Sequence, residues 1–174
     1  SLYSDMLSRA VASLKVGKEP DLDLSTHRGL DVELHLPALI PETYLGDVPA
    51  RLTLYKRIAT ARDSAALREL QVEMIDRFGL FPDAIKNLFA VAELRLLAER
   101  LGIARLDLGP QGGRLEFRAD TRADPAAVIR LISERPQEFR MDGPEKLRIL
   151  LHEDDHQERL VFANTLLKSL EAGA

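Results

Sequence analysis

No cysteine occurs among the 174 residues, which excludes disulfides, thiol nucleophiles and cysteine-ligated zinc and suits a reducing, cytoplasmic setting. No apolar run approaches the roughly twenty residues that cross a bilayer, so no membrane partner is expected. A charged-then-apolar secretory leader is also missing. The chain opens SLYSDM rather than with Met, and the natural protein is expected to extend upstream. No G-x-x-x-x-G-K-[ST] is present, so the chain is not itself an ATP-hydrolysing module. Excess positive charge is lacking too. The formal net charge of −4 argues against a dedicated nucleic-acid binder, which ordinarily carries a basic surplus to neutralise phosphates.

What is there describes an ordinary globular chain. With 45% hydrophobic and 30% charged residues it needs no staple, and its length suits one domain, or one domain with an appendage. Residues 2–15 carry Leu2, Met6, Leu7, Ala10, Val11 and Leu14 at helical spacing, and Gly17 stops the pattern. The turn-rich stretch that follows reads as an arm. The expected division is therefore 1–28, helix and arm arriving from upstream, and 29–174, the domain proper.

Residues 31–36, DVELHL, alternate as a half-buried strand with Val32, Leu34 and Leu36 inward, and prolines 37 and 41 close it. Two helices are expected from about Pro49 to Phe78, and a longer core helix from Pro82-Asp83 to Leu101. Strands at 103–108 and 114–118 flank the turn GPQGG. Asp124-Pro125 is an N-cap with proline at the first helical position, opening a helix to about Glu134. A second hairpin, 139–142 with 146–151, turns at Asp142-Gly143-Pro144, and a last helix runs from about Asp155 to Leu170 with Leu160, Val161, Leu167 and Leu170 apolar. The fold class is α+β: a helical part packed with a small antiparallel sheet, whose order is strand-strand-helix-strand-strand-helix in the C-terminal half.

The most informative stretch is Arg51–Pro82. Its second helix has Leu67, Leu70, Met74, Ile75 and Phe78 on one stripe, Asp63 or Ser64 as N-cap, and Gly79 as the stop. Away from that stripe lie Glu69, Glu73, Asp76 and Arg77. A solvated helix back is the ordinary reading of such a face.

RLxxYKRIA at 51–59, LxxxxxExIDRFGxxP at 67–82, LGI at 101–103, the Gly112-Gly113 turn and DGPxKL at 142–147 occur in an order that resembles the C-terminal domain of bacterial transcription-repair coupling factors, the Mfd family. The resemblance covers nearly the whole chain. It implies a non-catalytic regulatory tail of a large ATP-dependent DNA translocase, with no cofactor of its own. The tail would fold back on the UvrB-like amino-terminal module of the same protein, mask its UvrA-recruiting surface and restrain the motor until RNA polymerase is engaged. The family's contact helix matches Glu73, Asp76 and Arg77, with Glu69 beside them. Glu73 and Asp76 are then expected to meet arginines of the masked module, and Arg77 an acidic or backbone acceptor.

Two competing readings rest on other residues. Arg51, Lys56, Arg57 and Arg62 make the preceding helix basic, which would suit a DNA-contacting accessory domain, but no aromatic platform accompanies them. His152-Glu-Asp-Asp-His156 satisfies H-E-x-x-H, yet a zincin needs both histidines on one helix. Here the first is expected to follow a strand and the second to open the last helix, so no metal is assigned. GPQGG feeds a strand rather than a helix N-terminus and is read as a turn, not a phosphate loop. Tyr55 is expected as a core or semi-buried aromatic with its hydroxyl paired, not as a catalytic acid.

Overall fold

The computed structural model describes residues 30–173; the expected N-terminal helix and arm lie outside them. Two compact units divide the described chain: Pro37–Glu93, and the segment up to Leu36 together with Leu94 onward.

The first unit is helical. α1 (Val48–Thr60) and α2 (Ser64–Phe78) are followed by the first part of α3 (Asp83–Leu101). Both short helices begin on an aspartate that accepts a free first-turn N–H, Asp47 from Ala50 and Asp63 from Ala66. Leu52, Leu54, Tyr55 and Ile58 of α1 are buried, as are Leu67, Leu70 and Met74 of α2 and Ile85 and Phe89 of α3. Tyr55 lies in this core, and its hydroxyl accepts from Ile40 N at 2.6 Å. Two expected stripe members depart from the pattern: Ile75 is exposed and Phe78 half-buried. The buried stripe of α2 is thus narrower than the apolar spacing suggests.

The second unit holds a five-stranded mixed sheet in the order β1-β2-β3-β5-β4, with β1 Asp31–Glu33, β2 Ile103–Gly109, β3 Gly112–Phe117, β4 Phe139–Met141 and β5 Lys146–Ile149. Both hairpins are antiparallel as expected. β1, however, runs parallel to β2, pairing Val32 with Leu106. Alternation assigns faces, not strand direction, and a parallel neighbour needs the long crossover that the intervening helices provide. β1 also stops at Glu33, short of Leu36, because His35 adopts φ 56° and turns the chain. Leu34 and Leu36 are nonetheless buried.

Leu106, Leu108, Leu115, Leu147 and Ile149 fill one face of the sheet, while the charged residues alternating with them face solvent. A side chain at Gly113 would place its Cβ 1.8 Å from the Asp107 carbonyl oxygen, so the β2–β3 register requires glycine there. α4 (Pro125–Glu134) starts on Asp124, and α5 (His156–Ser169) starts on Asp155. On α5 the expected Val161 is exposed, whereas Arg159, which no apolar pattern selects, is 1% exposed. Its guanidinium donates to the carbonyls of Leu34, His35 and Glu153, each at 2.9 Å. The Leu34 and His35 carbonyls lie just past the end of β1 and that of Glu153 just before α5, and Arg159 supplies their hydrogen bonds.

Candidate functional site

α2 is a rigid platform because both of its ends are tied down. At its start Asp63 caps the backbone and Ser64 Oγ donates to Glu93 at 2.6 Å. At its end Gly79, with φ 103° and ψ −177°, takes a conformation almost closed to other residues, and its N–H returns to Ile75 O. Tyr44 stands beside this end and donates to Gly79 O at 2.8 Å and Met74 O at 3.2 Å. Burial pushes the Tyr44 phenol above its ordinary range, which keeps it a donor. The Tyr44 ring meets Phe78 and Phe81 edge-on, and Phe81 stacks on Phe89.

With Leu67, Leu70 and Met74 inward, the opposite side of α2 centres on Val72, which is 68% exposed. Glu69 and Asp76 flank it on one side, Arg68 and Ile75 on the other, and all four are exposed. Leu80 lies past the end of α2, after Gly79, and is 84% exposed. Asp76 forms no ion pair with any described residue. The result is an apolar centre with charges at its edge, the anatomy of a contact surface in small.

Glu73 and Arg77 sit on the flank of that face, turned toward α1. Arg57 of α1 holds the Glu73 carboxylate with two hydrogen bonds, at 2.5 and 3.1 Å, and Arg77 approaches the same carboxylate at 3.7 Å. The hydrogen bond from Arg57 holds the Glu73 carboxyl below the usual carboxylate range. Arg77 also lies 4.8 Å from the centre of the Phe78 ring. Of the residues selected from sequence, then, Glu69 and Asp76 share the outward face, while Glu73 and Arg77 belong to an inter-helix ion cluster. Sequence reasoning missed Val72, Leu80 and the role of Arg57. The first two are legible as apolar residues off the buried stripe; the third is not, because its partner lies on another helix.

The pairing of Arg57 also dissolves the basic surface expected on α1. Arg51 is buried and donates to Leu45 O at 2.7 Å, and Lys56 is half-buried, so the four cations do not present one open patch. His152 precedes α5 and His156 is its first residue, so the two do not share a helical face. Among the described residues no group of three or more His, Asp or Glu is placed to hold a metal ion. No helix of the described residues is long and apolar enough to cross a membrane.

The TRCF domain family model matches residues 34–128. The chain is 49% identical over 172 residues, 99% of its length, to the transcription-repair-coupling factor of Haemophilus influenzae, and 40% identical over its whole length to that of Escherichia coli. The chain belongs to the transcription-repair-coupling factor family. It spans 15% of the length of each of these two coupling factors. A crystal structure of the C-terminal domain of a transcription-repair coupling factor shares the fold, with a TM-score of 0.65 at 21% identity over 84% of this chain and 97% of that one. The outward face of α2 lies within the segment matched by the coupling-factor family model.

Proposed function

We propose that this coupling-factor domain, residues 29–174, is a non-catalytic clamp that closes on another part of the same protein through the outward face of α2. The observation that carries the reading is Val72 and Asp76, exposed side by side on a helix fixed at both ends and without an ion-pair partner for Asp76 among the described residues. A rigid, partly apolar face with unspent charge suits a reversible contact, since edge charges orient a partner without making its binding permanent.

The target is the UvrB-like amino-terminal module that the family resemblance implies. Masking it would hide the UvrA-recruiting surface and restrain the translocase until RNA polymerase engages. Asp76 and Glu69 meet cationic side chains of that module. Glu73 takes part without leaving Arg57, because a carboxylate offers about four lone-pair sites and Arg57 occupies two. Arg77 then faces an acidic or carbonyl acceptor.

Reversing Glu73 would set a cation against Arg57 and confound contact with fold. The decisive variant in the full-length protein is therefore Val72→Asp with Asp76→Arg, which leaves the Arg57–Glu73 pair in place. It is expected to expose UvrA binding and raise ATP turnover without polymerase. Resting levels of both in a folded variant sink the reading.

A further inference from the structure

The solvent face of the sheet carries two charged rows whose balance differs. In one, Asp31, Arg105, Glu116 and Lys146 follow one another across β1, β2, β3 and β5, and each neighbouring pair is joined by an ion pair of 3.3 to 3.6 Å. This row is internally neutralised.

The other row reads Glu33, Asp107, Arg114, Arg148 and Arg140 across β1, β2, β3, β5 and β4. Both of its acids are engaged by one residue: Glu33 accepts from His35 N, and Asp107 is hydrogen-bonded to His35 Nε2, both at 2.8 Å. Asp107 stands opposite Arg114 in the β2–β3 register, yet no ion pair joins them. Three exposed arginines remain side by side on adjacent strands, none ion-paired with a described residue. Like charges directly opposite on neighbouring strands destabilise a sheet. The arrangement therefore works against the fold and calls for an anion from outside.

We propose that this face, through Arg114, Arg148 and Arg140, binds the phosphate backbone of duplex DNA. The three strands place these residues across a span on the order of 10 Å, along which one strand of a duplex presents about three phosphates. Arg114 and Arg148 line a groove of about 440 Å³ together with Lys146 and Gln111, and Asp107 and Asp142 also line it. Those two carboxylates repel phosphates and keep the binding weak. The chemistry favours a duplex over two alternatives. A protein partner's contact centres on side chains in well-packed, desolvated pockets, whereas these three arginines stand exposed on an open sheet face. Single strands are held by stacking on aromatics, whereas Phe117 and Phe139 of these strands are buried on the opposite face. The site uses none of Arg51, Lys56, Arg57 and Arg62, the sequence candidates for DNA contact on and just after α1.

The test is fluorescence anisotropy of the 174-residue chain with a labelled duplex of about two helical turns. Wild type is compared with Arg114→Gln/Arg140→Gln/Arg148→Gln, and with Lys56→Gln/Arg62→Gln. Three phosphate contacts predict that log affinity falls with log salt at a slope of about −2.7, on the order of 40-fold between about 50 and 200 mM. The triple variant should lose at least about tenfold at the lower salt and flatten that slope, while the α1 variant matches wild type. The triple variant's thermal midpoint should not drop, since like-charge repulsion is relieved. Arg148→Gln, at the centre of the row, should lose about threefold and serves if the triple variant unfolds. Failure of wild type to bind at low salt overturns the proposal, as does binding that survives the triple substitution or vanishes with the α1 variant. Tighter binding of poly-glutamate or of a single strand of the same length, lost in the triple variant, would reassign the face to an acidic protein or to single-stranded nucleic acid and overturn it as stated.

Discussion

Arg57 on α1 grips Glu73 on α2 with both terminal nitrogens of its guanidinium, at 2.5 and 3.1 Å, and this pair converts a residue that helical spacing presents as free surface charge into a link between two helices. Side chains of this pair remain 45% and 38% exposed, so solvent screens the attraction. Its value lies in geometry: a bidentate fork fixes how the two helices face one another along this edge.

The pair makes a pH prediction. The Glu73 carboxyl is held low chiefly by the hydrogen bond from Arg57, so its contribution to stability is present above the ordinary carboxylate range and is lost as pH falls through its folded value. Arg57→Ala should return the Glu73 titration, followed by NMR at its side-chain carboxyl carbon, toward the ordinary carboxylate value. An unchanged titration would show that another group holds Glu73.

Removing surface charge and removing core should separate cleanly. Asp76→Ala is expected to change unfolding free energy by less than about 0.5 kcal/mol, whereas Leu70→Ala should cost about 2 to 5 and Phe89→Ala about 3 to 5 kcal/mol. Leu70 and Phe89 are only 4% and 3% exposed. Denaturant unfolding measures all three, and an Asp76 variant as unstable as the core variants would make the outward face structural.

Arg159 should matter more than its charge suggests. Arg159→Met leaves the buried Leu34 carbonyl and two part-buried carbonyls without the donor they now have, and a loss of about 1 to 3 kcal/mol is expected from the buried one alone. Arg159→Lys should recover only part, since one ammonium does not reproduce a planar fork. Hydrogen exchange should show β1 opening first in both variants. Equal protection of β1 in wild type and Arg159→Met would refute this account.

If the α2 face closes on the same polypeptide, weak affinity suffices. A favourable tether gives an effective concentration on the order of millimolar, so a contact of micromolar intrinsic affinity stays closed about a thousand to one, roughly 4 kcal/mol. The 174-residue chain supplied in trans at micromolar concentration should therefore restore little restraint to a full-length protein lacking it, and added salt should weaken what is restored. Full restraint in trans at that concentration would argue for a tight interface instead.

How much was legible follows from the range of each interaction. The aspartate cap at 124, the glycine stop at 79 and both hairpin turns were readable because each is settled within a few residues, and the cap of α2 was narrowed to Asp63 or Ser64, of which the structure takes Asp63. The inward positions Leu67, Leu70 and Met74 were readable from period alone. Ile75 and Val161 carry the same apolar signal and yet are exposed, since period does not say how wide a stripe its neighbours will cover. On the candidate face, Glu69 and Asp76 were legible from spacing, whereas Val72 was legible only as an apolar residue off the buried stripe.

The sequence by itself determined the element order, the capped helix ends, the alternation of the strands and, through its ordered motifs, the coupling-factor family, because each is written in local spacing. Only tertiary structure decided that β1 runs parallel to β2, that Arg57 claims Glu73, that Arg159 reaches Leu34 across 125 positions, and that three arginines on separate strands fall into one row. These are encounters between residues far apart in the chain. Their partners are chosen by strand order and helix packing, and no local pattern encodes which distant side chain will arrive.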